Sequence, residues 1–104
     1  MLTPEQRDWI ETHAGPTFRL TPSHTQMLRL ALDTEKFSFR QVGDSLGVTR
    51  EAVHLALRNL ERRGVIRLRR AGPESLTRTP HTCEPGPALQ AMFDAFAPQE
   101  RMAR

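Results

Sequence analysis

A single cysteine, Cys83, denies this chain an internal disulfide and fits a reducing compartment. No stretch approaches the roughly 18 consecutive apolar residues of a membrane-spanning helix, so none is expected. The segment from Met1 to Ile10 carries Glu5, Arg7 and Asp8 and has no basic start followed by an apolar run, so no signal peptide is expected either. No Ser-His-Asp order, glycine-rich phosphate loop or carboxylate pair stands out, which argues against an enzyme. His81 and Cys83 stand two apart, but a metal site needs more ligands at regular spacing; no metal and no cofactor is expected. Cys83 also lacks the adjacent basic neighbour that would make it a reactive thiolate.

What remains is a chain of 104 residues, 38% hydrophobic, enough for one modest core. The net charge is only +3, but its placement is uneven. Residues 1–37 carry four basic and five acidic side chains, and residues 71–104 carry three and four. Between them Arg40, Arg50, Arg58, Arg62, Arg63, Arg67, Arg69 and Arg70 face only Asp44, Glu51 and Glu61, a net +5. A charge concentrated in this way suits a polyanion. All of the 15 basic side chains except Lys36 are arginine. The planar guanidinium fork matches phosphate and guanine, and arginine codons are also favoured by GC-rich genomes.

The start and stop signals of helices are clear. Thr3 caps a helix beginning at Pro4, with Gln6 as capping-box partner. It is expected to run to about His13, with Trp9 and Ile10 as its apolar side, and to end at Gly15-Pro16. Thr21-Pro22 repeats the signal for a helix to about Thr34, with Met27, Leu28, Ala31 and Leu32 on one face. Lys36 to Phe39 is a break with room for a short extended segment. Ser38 caps a helix from Phe39 to about Leu46, with Val42 and Leu46 facing one way, and Gly47 turns the chain. Thr49 caps the next, from Arg50 to about Arg63, with Val53, Leu57 and Leu60 as its buried stripe and small Ala52 and Ala56 for close helix approach. Gly64 ends it.

Ile66 and Leu68 alternate with Arg67 and Arg69, the pattern of a half-buried strand. Ala71 to Glu74 is turn chemistry, and Ser75 to Thr79 would return as the second strand. Residues 80–87, with Pro80, Pro85 and Pro87, read as an irregular linker. A last helix from about Pro87 to Ala97 sets Leu89, Met92, Phe93 and Phe96 at i, i+3, i+4, i+7, and Pro98 would stop it. The fold class expected is therefore mainly α with a small β-hairpin: a winged helix-turn-helix with extra N- and C-terminal helices. Residues 1–80 would form the winged domain, and 81–104 a linker and C-terminal helix.

Two helices joined by a glycine turn and followed by a hairpin are the signature of that motif. The stretch from Gln41 to Ile66 resembles the DNA-binding domains of the MarR and GntR families of bacterial transcription regulators. Leu46-Gly47-Val48-Thr49-Arg50, Val53, Ala56-Leu57, Leu60-Glu61 and Gly64-Val65-Ile66 carry the likeness. Leu20-Thr21-Pro22 opening a helix that reaches Leu30-Ala31-Leu32 is similar to the MarR type. Gly43 departs from it, since those families usually carry alanine there. The chain is also shorter than MarR-type proteins, whose terminal helices are longer.

The resemblance implies a sequence-specific binder of double-stranded DNA, a dimeric repressor without cofactor, located in the cytoplasm at the nucleoid. The second helix of the motif would lie in the major groove. Thr49, Arg50, Glu51, His54 and Arg58 would face the DNA, with Arg50 bidentate to guanine and Glu51 accepting from cytosine or trimming non-specific binding. Arg40 would hold a phosphate at the start of the preceding helix. Arg67, Arg69, Arg70 and Arg78 would set the wing on the flanking backbone or minor groove. Leu55 could touch a thymine methyl, but packing on another part of the protein is expected of it. Arg62 and Arg63 read as solvated or helix-end charges. The homodimer would form through the N-terminal helix with Trp9, the C-terminal helix with Phe93 and Phe96, or both. The competing class is a winged-helix interaction adaptor in a replication, partition or polymerase-associated assembly.

Overall fold

The computed structural model describes residues 2–72 and 79–102, with side chains as far as Phe96. The capping signals place the helices. Thr3 accepts from the Gln6 N–H at 3.1 Å, Gln6 returns the bond, and α1 spans Pro4–Trp9. Thr21 caps α3 (Pro22–Asp33), Ser38 with Gln41 forms the box that opens α4 (Phe39–Leu46), and Thr49 caps α5 (Arg50–Arg62). Between α1 and α3 the structure differs from expectation. The chain stays helical through Gly15-Pro16, by a π-helical turn at Ile10–Ala14 and a short α2 at Gly15–Phe18. Pro16 falls in the first turn of α2, where its missing N–H and fixed φ are tolerated. The stop comes at Arg19, in the left-handed region at φ 56°.

The apolar stripes read from the sequence meet in one core. Met27, Leu28, Ala31 and Leu32 of α3 pack with Val42 of α4 and with Val53, Ala56, Leu57 and Leu60 of α5. Burying each large side chain contributes about 1.5–3 kcal/mol. Ala52, expected at the helix crossing, is exposed; the close approach is at Gly43 instead. A Cβ on Gly43 would lie 2.7 Å from the Val48 carbonyl oxygen, so even alanine is too large. The Gly43 carbonyl also accepts from the Val48 N–H at 2.9 Å, closing the turn. Glycine in place of alanine at this position is thus a packing requirement of this turn. On the other side, Arg7 donates to Asp33 at 3.0 Å and ties α1 to the end of α3.

α5 ends in a left-handed glycine motif. The Val65 N–H bonds the Leu60 carbonyl and the Gly64 N–H bonds the Glu61 carbonyl, both at 3.0 Å, with Gly64 at φ 77°. Strand β1 (Ile66–Arg70) follows, burying Ile66 and Leu68. Its antiparallel partner β2 is His81–Pro85, not the earlier segment expected. The supposed linker therefore carries a strand, and the sheet pairs residues across the expected division at 80. Prolines are tolerated on edge strands, and Pro85 pairs with Ile66 as the last residue of β2 in a two-stranded sheet. The connection between the two strands, residues 71–80, is correspondingly longer. Most of the segment read as the returning strand lies outside the described residues.

Helix α6 (Pro87–Met102) begins where α5 ends. The Gly86 N–H donates to the Val65 carbonyl and the Ala88 N–H to the Gly64 carbonyl, both at 2.9 Å. A Cβ on Gly86 would stand 2.4 Å from the Gly64 oxygen. α6 passes Pro98 rather than stopping there: a helical proline forfeits a hydrogen bond, but its φ is helical. Leu89 and Phe93 are buried, and Phe93 meets Trp9 edge to face at 6.0 Å. Trp9 also meets Phe18 at 6.3 Å. Among the described residues no helix is long and apolar enough to cross a membrane.

One aromatic stack joins three elements. Phe37 exchanges backbone hydrogen bonds with His81, at 3.0 and 2.7 Å, which adds a one-residue third rung to the sheet. This is the short extended segment expected there. Phe39 lies against the His81 ring at 4.5 Å and the His54 ring at 5.1 Å, both nearly parallel. His81 is 5% exposed. Burial, with help from the charges of Arg58 and Arg70, holds it below its ordinary value of 6.5, despite the hydrogen bond to the Thr79 carbonyl.

Gly86→Ala should lower stability by about 2–3 kcal/mol, since backbone must move to admit the methyl. Gly47→Ala should cost nearer 1 kcal/mol, for a left-handed backbone in open space. Denaturant melts that place Gly86→Ala at or above Gly47→Ala would refute the junction as described. His81 gives a second prediction. Its folded value is depressed, so the unfolded chain binds the proton more readily. Stability should be level above pH 6.5 and fall as pH drops below it, and His81→Phe should flatten that fall. Asp33, held low by Arg7, loses its contribution only below about its ordinary 3.8. Equal slopes for both proteins between pH 5 and 6.5 would contradict the assignment.

Candidate nucleic-acid interface

Helix α5 presents its functional face because its apolar residues fall on the other. Val53, Ala56, Leu57 and Leu60 point into the core. At roughly 100° per residue, Glu51, Leu55, Arg58 and Arg62 project within about 30° of the opposite direction. Arg50 and His54 lie toward one flank of that face. Arg50, Glu51 and His54 are exposed and Arg58 is half-buried. Thr49 is exposed too, but its hydroxyl oxygen accepts from the Ala52 N–H at 3.1 Å. Its first role is thus to start the helix. Arg50 and Glu51 stand 3.9 Å apart, a loose pair. The His54 ring has one face covered by Phe39, which fixes the direction of its edge.

Leu55 corrects an expectation. It does not pack on the rest of the chain; it is 71% exposed, a large hydrophobic side chain standing in solvent. Arg58 is also more constrained than the sequence indicated. It donates to Glu61 at 2.9 Å, and the other Glu61 oxygen accepts from the Leu68 N–H at 3.2 Å. One carboxylate therefore links the exposed face of α5 to the first wing strand. Sequence reasoning missed this role. The spacing of Arg58 and Glu61 would have suggested the ion pair, but nothing local announces the strand N–H.

On the wing, Arg67, Arg69 and Arg70 are exposed on β1. Arg67 faces Glu84 directly across the ladder. Both Arg67 and Arg69 approach that carboxylate, at 3.7 and 3.4 Å. Exposed pairs of this kind contribute about 0–1 kcal/mol, too little to hold either guanidinium against a phosphate. Glu84 was not singled out in the sequence, because its segment read as linker. Arg40 is exposed on the first turn of α4. Arg78 lies outside the described residues. Arg63 is no free helix-end charge: its guanidinium donates to the Phe18 carbonyl and ties the end of α5 to α2.

The described residues hold no cluster of three or more His, Cys, Asp or Glu side chains able to bind a metal. Cys83 lies opposite Leu68 in the ladder, and burial pushes its thiol up to about 12, so it stays protonated near neutrality.

No family model and no curated protein matches the chain. Solved structures do. The chain is similar to a MarR-family transcriptional regulator from Silicibacter pomeroyi, at TM-score 0.53 and 16% identity, covering 94% of this chain and 63% of that one. It is similar to MepR of Staphylococcus aureus in a complex with DNA, at TM-score 0.55 and 17% identity, covering 95% and 79%. It is also similar to a MarR-family protein of Mycobacterium tuberculosis in complex with p-aminosalicylic acid, at TM-score 0.52 and 24% identity, covering 95% and 72%. The chain spans 60% to 79% of the length of such neighbours. With its helix-turn-helix, its two-stranded wing and a helix at either end, the chain has the winged-helix fold of MarR-family transcriptional regulators.

Proposed function

We propose that the protein is a sequence-specific, double-stranded DNA-binding transcription regulator, a dimeric repressor. The outward face of α5 carries this reading. It brings Arg50, Glu51, His54 and Arg58 to the side of the helix away from Val53, Ala56, Leu57 and Leu60, with the first three exposed and Arg58 half-buried. A helix so placed fits the major groove, with its first turns at the base edges. Arg50 is the residue we assign to guanine, and Glu51 to a cytosine amino group or to discrimination against other bases. Arg40, Arg67, Arg69, Arg70 and Arg78 would meet phosphates and position the reader. The wing would lie on the flanking backbone or minor groove. That one structural neighbour is a complex with DNA supports this reading.

A single copy offers one such helix, and pairing two on a palindrome raises affinity. We place the dimer contact at the N- and C-terminal helices. Phe93 is buried against its own chain, so Phe96 and the outer surfaces of α1 and α6 are left for the partner. Repression then follows from occupying DNA, with no ligand or catalytic step required.

Arg50→Ala should abolish preference for a selected duplex while leaving the fold intact, as read by gel shift and circular dichroism. Unchanged affinity would remove Arg50 from the reading. Wild-type affinity should also fall by about tenfold or more between 50 and 200 mM salt, as counterion release requires. Binding indifferent to salt would favour an interaction adaptor instead. Light scattering at about tens of micromolar should give twice the chain mass, and a monomer there would overturn the dimer.

A further inference from the structure

Leu55 is what the proposed contacts leave unexplained. Among the described residues it stands as the exposed large hydrophobic, at 71%. It does not sit on a margin of α5. By helical spacing it projects close to the direction opposite the core, one turn after Glu51 and three residues before Arg58. Its neighbours on that face are polar or charged, Glu51, His54, Arg58 and Asn59, apart from the small Ala52. Water alone gives no reason for leucine there, because helix propensity is equally satisfied by glutamine, lysine or glutamate.

We propose that Leu55 is a specificity-determining residue that reads the 5-methyl group of a thymine in the major groove. The inference rests on the DNA-binding reading above. Leucine offers neither donor nor acceptor. Of the groups the four base pairs display in the major groove, the thymine methyl is the apolar one. Against the cytosine amino group, or the purine N7 and O6, leucine would strip water from a polar atom without replacing its hydrogen bond. The side chain thus selects in both directions, by burying a methyl where thymine stands and by desolvating a polar edge where it does not. A helical leucine also leans toward the N-terminus of its helix, the half of α5 that docking would set over the bases. The charged neighbours favour nucleic acid over an apolar protein partner, because Arg58 and Glu51 would otherwise be buried beside Leu55 and lose their water.

The test uses the full chain. Duplexes are first selected from a random pool with the wild-type protein. In the best selected duplex each thymine is replaced, one at a time, by deoxyuridine, which removes only the methyl. One thymine in each half-site should prove sensitive, with wild-type affinity falling about fourfold on loss of a buried methyl. Leu55→Ala should fold normally, bind the thymine duplex at least about fourfold more weakly, and no longer distinguish uracil at that position. Leu55→Gln should shift the selected base there away from thymine. Uracil tolerated at every position by the wild type, or the same uracil penalty in Leu55→Ala, overturns the assignment. So does a Leu55→Ala protein that keeps its base preference but loses its dimer, which would make Leu55 a contact between copies. Selection that enriches no duplex at all would overturn the DNA-binding reading itself, and this inference with it.

Discussion

The architecture depends on one backbone-to-backbone approach, between Gly64 and Gly86. Four elements meet there: α5 ends, β1 begins, β2 ends and α6 begins. Glycine is favoured at both positions, for different reasons. Gly64 needs a left-handed backbone, while Gly86 needs the space a Cβ would fill. The contact also settles a hydrogen-bond debt on both sides. The first turn of α6 has N–H groups without helical partners, and the carbonyls after α5 accept from them. Shape and polar satisfaction are thus solved by the same few atoms. The sheet register that follows positions Arg67, Arg69 and Arg70.

Around this junction, α5 is held to the wing from two directions. The Glu61 carboxylate reaches the Leu68 N–H along one side, and the rings of His54, Phe39 and His81 stack along the other. A low-stability hairpin of two strands would be marginal alone. Here it is braced by a helix and by the one-residue rung at Phe37. The consequence for the proposed interface is pre-organisation. The arginines of β1 and the outward face of α5 are held in one relation by the protein itself, so the proposed DNA binding would order side chains rather than elements.

The motif was legible in the sequence because its signals are local. Thr3, Thr21, Ser38 and Thr49 each cap a helix within three residues of themselves, and the apolar spacing of α3 and α5 needs no knowledge of the partner element. Where the sequence misled, the deciding term was distant. Pro85 looks like loop chemistry until its partner Ile66 is known. Gly15-Pro16 looks like a stop until the π-helical turn before it places the proline in a first turn. Gly43 reads only as a departure from the family's alanine until the Val48 carbonyl shows why it is required. In the candidate interface, the outward arginines followed from periodicity. The exposure of Leu55 did not, because an apolar residue on a helix is ordinarily assigned to packing.

The placement of Trp9 has a practical side. The chain has one tryptophan and no tyrosine. That indole touches Phe18 of α2 and Phe93 of α6. Its ultraviolet emission is therefore an intrinsic gauge of whether the terminal helices are docked on one another. Quenching or recovery of that light reports rearrangement of α1 against α2 and α6 without attaching a dye.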